Sequence, residues 1–130
     1  MSDTSLPAAN PATVAAVRAV IEQYCEGARV GDLERVKATF HPDARMSGYL
    51  QGQAMVGTPE PFYDAVKNAP PPAKSGEPYR REIVRVDVAG PIASVTLVEG
   101  PYLGMQFTEF FHLLQLDGRW CIVSKTFMHT

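Results

Sequence analysis

The stretch "MQFTEFFHLLQLDGRWCIVSKTFM", Met105 to Met128, decides the fold. Two apolar runs flank Asp117-Gly118, a dipeptide suited to the positive φ angles of a two-residue hairpin turn. Both runs have strand length and are rich in aromatic and branched residues. The first is apolar at both phases of a two-residue period. Phe110, Leu114 and Leu116 lie on one side, and Met105, Phe107, Phe111 and Leu113 on the other. An antiparallel sheet with one wet face alternates apolar and polar residues, so this strand calls for cover on both faces.

Working back from the hairpin, "REIVRVDVAG" alternates Val84, Val86 and Val88 against Arg81, Arg85 and Asp87. "PIASVTLVEG" follows across a turn at Gly90-Pro91, which completes a four-strand meander. The first half has a helical period instead. Asn10 caps and Pro11 takes the first helical position, and Val14, Val17, Ile21, Tyr24 and Ala28 form one apolar stripe. Gly31 ends that helix and Asp32 caps the next, whose stripe is Leu33, Val36 and Phe40. Pro42 is expected to stop it, because His41 before the ring is pushed out of helical geometry. Ala44–Leu50 reads as a short strand, with Gly48 marking a bulge or a close approach. Thr58 and Pro59 open a third helix, and the proline-rich segment 68–78 reads as an exposed loop and a candidate lid. Helices first and strands after is an α+β layout. The expected organisation is a flexible arm over residues 1–10 and one domain over 11–130.

Composition narrows the function classes. The chain has 130 residues, 45% apolar and 20% charged, with a net charge of −2, the balance of a globular protein. Lys and Arg are scattered, so no basic stripe is available to nucleic acid. No apolar run approaches the roughly 18 residues that a membrane span needs. The polar start "MSDTSLPAANPA" is no secretory signal, and Cys25 and Cys121 lack a paired spacing, so a cytoplasmic protein with free thiols is expected. His41, His112 and His129 have no zinc spacing, and "GYLQGQ" lacks the lysine of a phosphate loop, so neither metal nor cofactor is indicated.

The segment "VIEQYCEGARVGDLERVKATFHPDARMSG", with the terminal "DGRWCIVSKTF", resembles the nuclear transport factor 2-like superfamily, nearest to its SnoaL-like and Putative lumazine-binding branches. The resemblance spans roughly Val14 to Phe127. It implies a cone-shaped roll, in which three helices pack on a curved antiparallel sheet around an apolar pocket, commonly in a homodimer formed through the outer sheet face. Within the superfamily, ketosteroid isomerase places its oxyanion-hole tyrosine on Tyr24, its general base on Gly48 and its protonated acid near His112. Gly48 has no side chain, so that mechanism lacks its base.

The sequence therefore suggests a binder of an apolar or aromatic small molecule, with Tyr24, Met46, Phe62, Tyr102, Phe110, His112 and Trp120 around the ligand. The alternative is a SnoaL-like isomerase, cyclase or dehydratase, with His112 as acid and base and Tyr24 as donor. A third reading is a protein-interaction module whose pocket is filled by its own side chains. His112 enters on the premise that Phe110 faces inward, which sends Glu109 to the outer face. His41 and Asp43 straddle Pro42 and read as turn architecture rather than a catalytic pair.

Overall fold

Asn10 opens the first helix as its chemistry dictates, its side-chain oxygen accepting from the Ala12 amide at 2.7 Å. This helix, α1 (Pro11–Val30), ends at Gly31, whose φ of 74° is the left-handed conformation that glycine adopts freely. Residues 4–130 are described by the computed structural model, and residues 1–3 of the expected arm lie outside them. Residues 4–10 are exposed and carry no helix or strand.

Asp32 caps α2 (Leu33–Lys37), accepting from the Arg35 amide. That helix stops at Lys37, before the proline expected to end it. Pro42 instead lies within β1 (Phe40–Leu50), in the gap between Phe40 and Arg45 where the ladder to a neighbouring strand is broken. Proline offers no N–H to a ladder, so an interrupted pairing suits it. A strand that the sequence did not reveal, β2 (Gln53–Gly57), turns back on β1. Next come α3 (Glu60–Asn68) and α4 (Pro72–Ser75), a single turn inside the segment read as irregular.

The four expected strands are β3 (Arg80–Ala89), β4 (Ile92–Tyr102), β5 (Met105–Leu116) and β6 (Arg119–His129). Asp117 and Gly118 both take positive φ in the β5–β6 turn, as a tight hairpin requires. The sheet runs β2-β1-β6-β5-β4-β3. It is mixed rather than wholly antiparallel, because β1 pairs with β6 in parallel.

The core lies between α1 and the inner sheet face. Val17, Ile21, Tyr24 and Cys25 pack over Val95, Leu97, Phe111, Leu113 and Ile122, all at most 1% exposed. β5 thus turns its odd-numbered residues inward. Phe110 is 56% exposed and His112 also faces out, which reverses the premise on which His112 was assigned to the pocket. The outer face remains apolar in patches, with Val84, Val98, Phe110 and Met128 exposed.

Two bulges set the side-chain phase. Ile83 pairs with Leu97 and Arg85 with Thr96, leaving Val84 unmatched and exposed. On β6, Ser124 pairs with His112 and Ile122 with Leu113, leaving Val123 as the extra residue. An extra residue reverses which side chains face inward beyond it. Trp120 and Ile122 are buried before the bulge, and Lys125 and Phe127 after it.

Candidate active site

That change of phase puts a lysine into the core. Lys125 is 4% exposed, and its Nζ lies 2.9 Å from Glu109 Oε2. It also donates to the Tyr24 hydroxyl at 2.7 Å, and that hydroxyl donates to Glu109 Oε2 at 3.0 Å. Three elements that meet only in the folded chain supply the triad. The apolar stripe of α1 carries Tyr24, the inward phase of β5 carries Glu109, and the shifted phase of β6 carries Lys125. The Phe62 ring of α3 covers the ammonium, with Nζ 4.0 Å from its centroid, a geometry in which the ring face attracts the cation.

A second carboxyl stands beside the triad. Glu99 on β4 is 4% exposed and accepts from the Tyr79 hydroxyl at 2.6 Å. Leu97 pairs with Glu109 and Glu99 with Phe107, so the two glutamates are diagonal neighbours on the inner face. Burial first, and the charge of Glu109 second, push Glu99 well above the ordinary carboxylate range. Glu109 is thus the carboxyl in contact with Lys125, and Glu99 the one whose surroundings favour its protonated form. Among the described residues Glu109 Oε1 has no hydrogen-bond partner, which leaves that oxygen open to a proton from Glu99 or from a bound molecule. Burial, then Glu109, raises Tyr24 well above its usual range, so its hydroxyl remains a donor. Burial likewise pushes Tyr102 up to about 12.

Tyr24, Glu99, Glu109 and Lys125 form the polar part of the wall of a cavity of about 120 Å³. The rest is apolar, with Met46, Met55, Phe62, Tyr102, Met105 and Phe127 among its lining. A cavity of about 150 Å³ accepts benzene, so this one suits a compact ring or a short branched chain. Being open, it contradicts the reading of a pocket filled by its own side chains.

Of the residues proposed from the sequence, Tyr24, Met46, Phe62 and Tyr102 line the cavity. Phe110 and His112 do not, because both point from the outer face of β5. Trp120 is buried at the start of β6, where it borders a groove with Ala16, Val20 and Gln23 of α1. Residues 68–78 supply no side chain to the cavity wall. Pro71 packs where a side chain at Gly31 would stand, and Glu77 accepts from the Gly104 amide at the β4–β5 turn. His41 Nδ1 accepts from the Asp43 backbone amide at 2.9 Å, within β1 and away from the cavity wall.

Gly48 explains itself by packing. A Cβ there would come within 2.2 Å of the Phe127 carbonyl oxygen, so the strand crossing excludes any side chain, including a base. Lys125, Glu99 and Tyr79 escaped the sequence reading, and Glu109 was placed on the wrong face. The available signal was phase: Glu109 keeps step with Phe111 and Leu113, Glu99 with Val95 and Leu97, and Lys125 with Phe127.

Residues 12–128 match the family described as Putative lumazine-binding. The chain belongs to this family. Its relatives include Aldolase FrzH of Cladobotryum sp, 30% identical over 113 residues that cover 86% of this chain and 87% of that protein. Among solved structures, a nuclear transport factor 2-like protein of unknown function from Methylobacillus flagellatus superposes with a TM-score of 0.85. It is 26% identical, over 94% of this chain and 95% of that one. A second such protein, from Shewanella baltica, gives 0.83 at 25% identity, over 95% and 98%. The helices on a six-strand mixed sheet are the cone-shaped α+β roll of this superfamily. The family and its neighbours support a small-molecule-binding protein of this fold. Among the described residues, no helix is long and apolar enough to cross a membrane.

Proposed function

We propose that this chain is an enzyme that binds a compact, largely apolar carbonyl compound in the inner cavity and moves a proton next to the carbonyl, in aldol or retro-aldol chemistry. One observation carries the reading: an amine, a carboxylate and a phenol hydroxyl converge within hydrogen-bond distance at the wall of an apolar cavity. The likeness to an aldolase supports it.

The division of labour follows from the two carboxyls. Acid and base roles fall to titratable neighbours whose environments push their proton affinities apart. Glu109, paired with Lys125, is the base, and Glu99, which holds its proton, is the acid that returns one. Lys125 and Tyr24 activate the carbonyl, as donors placed where negative charge develops on oxygen. His112, on the far side of the sheet, takes no part. Non-catalytic binding is the reading that the apolar lining alone would favour.

The reading is tested with diacetone alcohol, whose retro-aldol cleavage releases two molecules of acetone. Acetone should form faster than in buffer, and Tyr24→Phe should slow it by about 10²-fold or more, the usual scale for loss of one preorganised donor. Binding without cleavage, for this and other β-hydroxy ketones, would leave a binder in place of the enzyme.

The outer face carries a second proposal, a homodimer. Val84, Val98, Phe110 and Met128 leave apolar patches exposed on the side of the sheet away from the helices, and two-fold dimers are the commonest assemblies. Light scattering should give twice the chain mass, whereas the mass of one chain at micromolar concentration would contradict it.

A further inference from the structure

The sequence has four lysines, and the fold sets one of them apart. Lys37, Lys67 and Lys74 are exposed, whereas Lys125 is 4% exposed and lines the cavity. A lysine needed only for surface charge has no reason to be there. Buried ion pairs give little net stability over apolar residues of the same volume, so stability alone does not account for it.

We propose that Lys125 activates the carbonyl covalently, by forming a protonated imine with a ketone or aldehyde in the cavity. This rests on the carbonyl-binding reading above and specifies how its lysine works. Lysines are made nucleophilic by desolvation in an apolar pocket; Lys125 is 4% exposed under the Phe62 ring, and Glu109 Oε2, 2.9 Å from Nζ, is placed to take its proton. The step balances without any further reagent. Lys125 passes one ammonium proton to Glu109, and Nζ then forms a bond to the carbonyl carbon, whose oxygen becomes a hydroxyl on taking up a proton. Nitrogen gives up the proton that makes that hydroxyl; the carbon–oxygen bond then breaks as the nitrogen lone pair closes the C=N bond, and the oxygen departs as water with the proton returned by Glu109, which is a carboxylate again. The net change is an ammonium plus a carbonyl going to an iminium plus water.

Three features of the site suit this step. Charge is conserved at nitrogen, so the Glu109 carboxylate and the Phe62 face that hold the ammonium hold the iminium equally well. The Tyr24 hydroxyl sits 2.7 Å from Nζ, within reach of an oxygen on the carbon that Nζ attacks, and can donate to it as it leaves. The apolar walls give water few partners, which slows hydrolysis of the imine. The iminium in turn draws electrons from the adjacent carbon, whose proton Glu109 can take.

The experiment incubates the whole protein with cyclopentanone and sodium cyanoborohydride, which reduces an iminium in preference to a ketone, followed by intact-mass and peptide mass spectrometry. The expected result is a single gain equal to the mass of the ketone less one oxygen atom, located on Lys125. It should form at least tenfold faster than on Lys37, Lys67 or Lys74, and the folded Lys125→Arg variant should lose it. Equal labelling of all four lysines, or none on Lys125, would overturn the proposal. Exchange of the ketone's α-hydrogens for deuterium, followed by NMR in the same samples, separates the two readings. Exchange without labelling removes the imine and keeps the proton-transfer function; absence of both removes both.

Discussion

Glu109→Leu should cost about 3–5 kcal/mol of folding stability, the usual penalty for stripping the partner from a buried charge. Lys125 is the reason. Its ammonium lies within 3 Å of two oxygens, Glu109 Oε2 at 2.9 Å and the Tyr24 hydroxyl at 2.7 Å, and Phe62 shields it from water. Without that carboxylate, the cation keeps only the neutral Tyr24 hydroxyl as a direct hydrogen-bond partner, with the buried Glu99 carboxyl as the acid nearby. Adding Lys125→Met and Tyr24→Phe should restore stability to the wild-type level or above, because the whole polar group is then replaced by apolar residues of similar volume. Urea denaturation of the single and triple variants checks this. A Glu109→Leu protein within about 1 kcal/mol of wild type would mean that Lys125 reaches water, since exposed pairs are worth no more than that.

Glu99→Gln should stabilise the protein at neutral pH and flatten its pH dependence. The folded-state proton affinity of Glu99 is raised above its ordinary value of 4.5, first by burial and then by Glu109. A group raised in this way contributes stability that is fully present below its unfolded value and is lost as pH rises through its folded value. The wild type should therefore lose stability as pH climbs from about 4.5, at up to about 1.4 kcal/mol per pH unit for this one proton. Glutamine keeps the neutral shape and an acceptor for the Tyr79 hydroxyl, so the variant should not show that slope. Glu26 acts in the opposite direction: hydrogen bonding to Arg29 lowers it, and its contribution is lost as pH falls below 4.5. The two effects occupy different pH windows and can be read from one titration of stability. Identical slopes for wild type and Glu99→Gln above that pH would show that Glu99 is ionised in the fold.

Much of this fold was legible because local chemistry decided it. Asn10-Pro11, Gly31 and Asp32 carry their helix boundaries in their own side chains or backbone freedom, and Asp117-Gly118 carries its turn. The small strand β2 was not legible, since "QAMVG" has neither the length nor the alternation that marks a strand. The cavity was half legible. Tyr24 follows from helical periodicity, but Lys125 depends on one extra residue, Val123, that shifts the phase of β6. Trp120 and Ile122 in phase with each other send Ser124 inward on paper, and the bulge sends Lys125 there instead. Glu109 failed for a related reason. β5 is apolar at both phases, so alternation alone could not say which side met the helices, and Phe110, on whose inward placement His112 depended, is exposed.

The central claim is that proton transfer belongs to the inner wall, Lys125 with Glu109 and Tyr24, and not to the histidine on the outer face. The most direct measurement is deuterium exchange at the α-carbon of cyclopentanone in heavy water, followed by NMR, with Lys125→Met and His112→Ala side by side. Exchange that is enzyme-dependent, unchanged in His112→Ala and reduced by about 10²-fold or more in a folded Lys125→Met protein is the predicted result. Exchange that survives in Lys125→Met and disappears in His112→Ala would contradict the account.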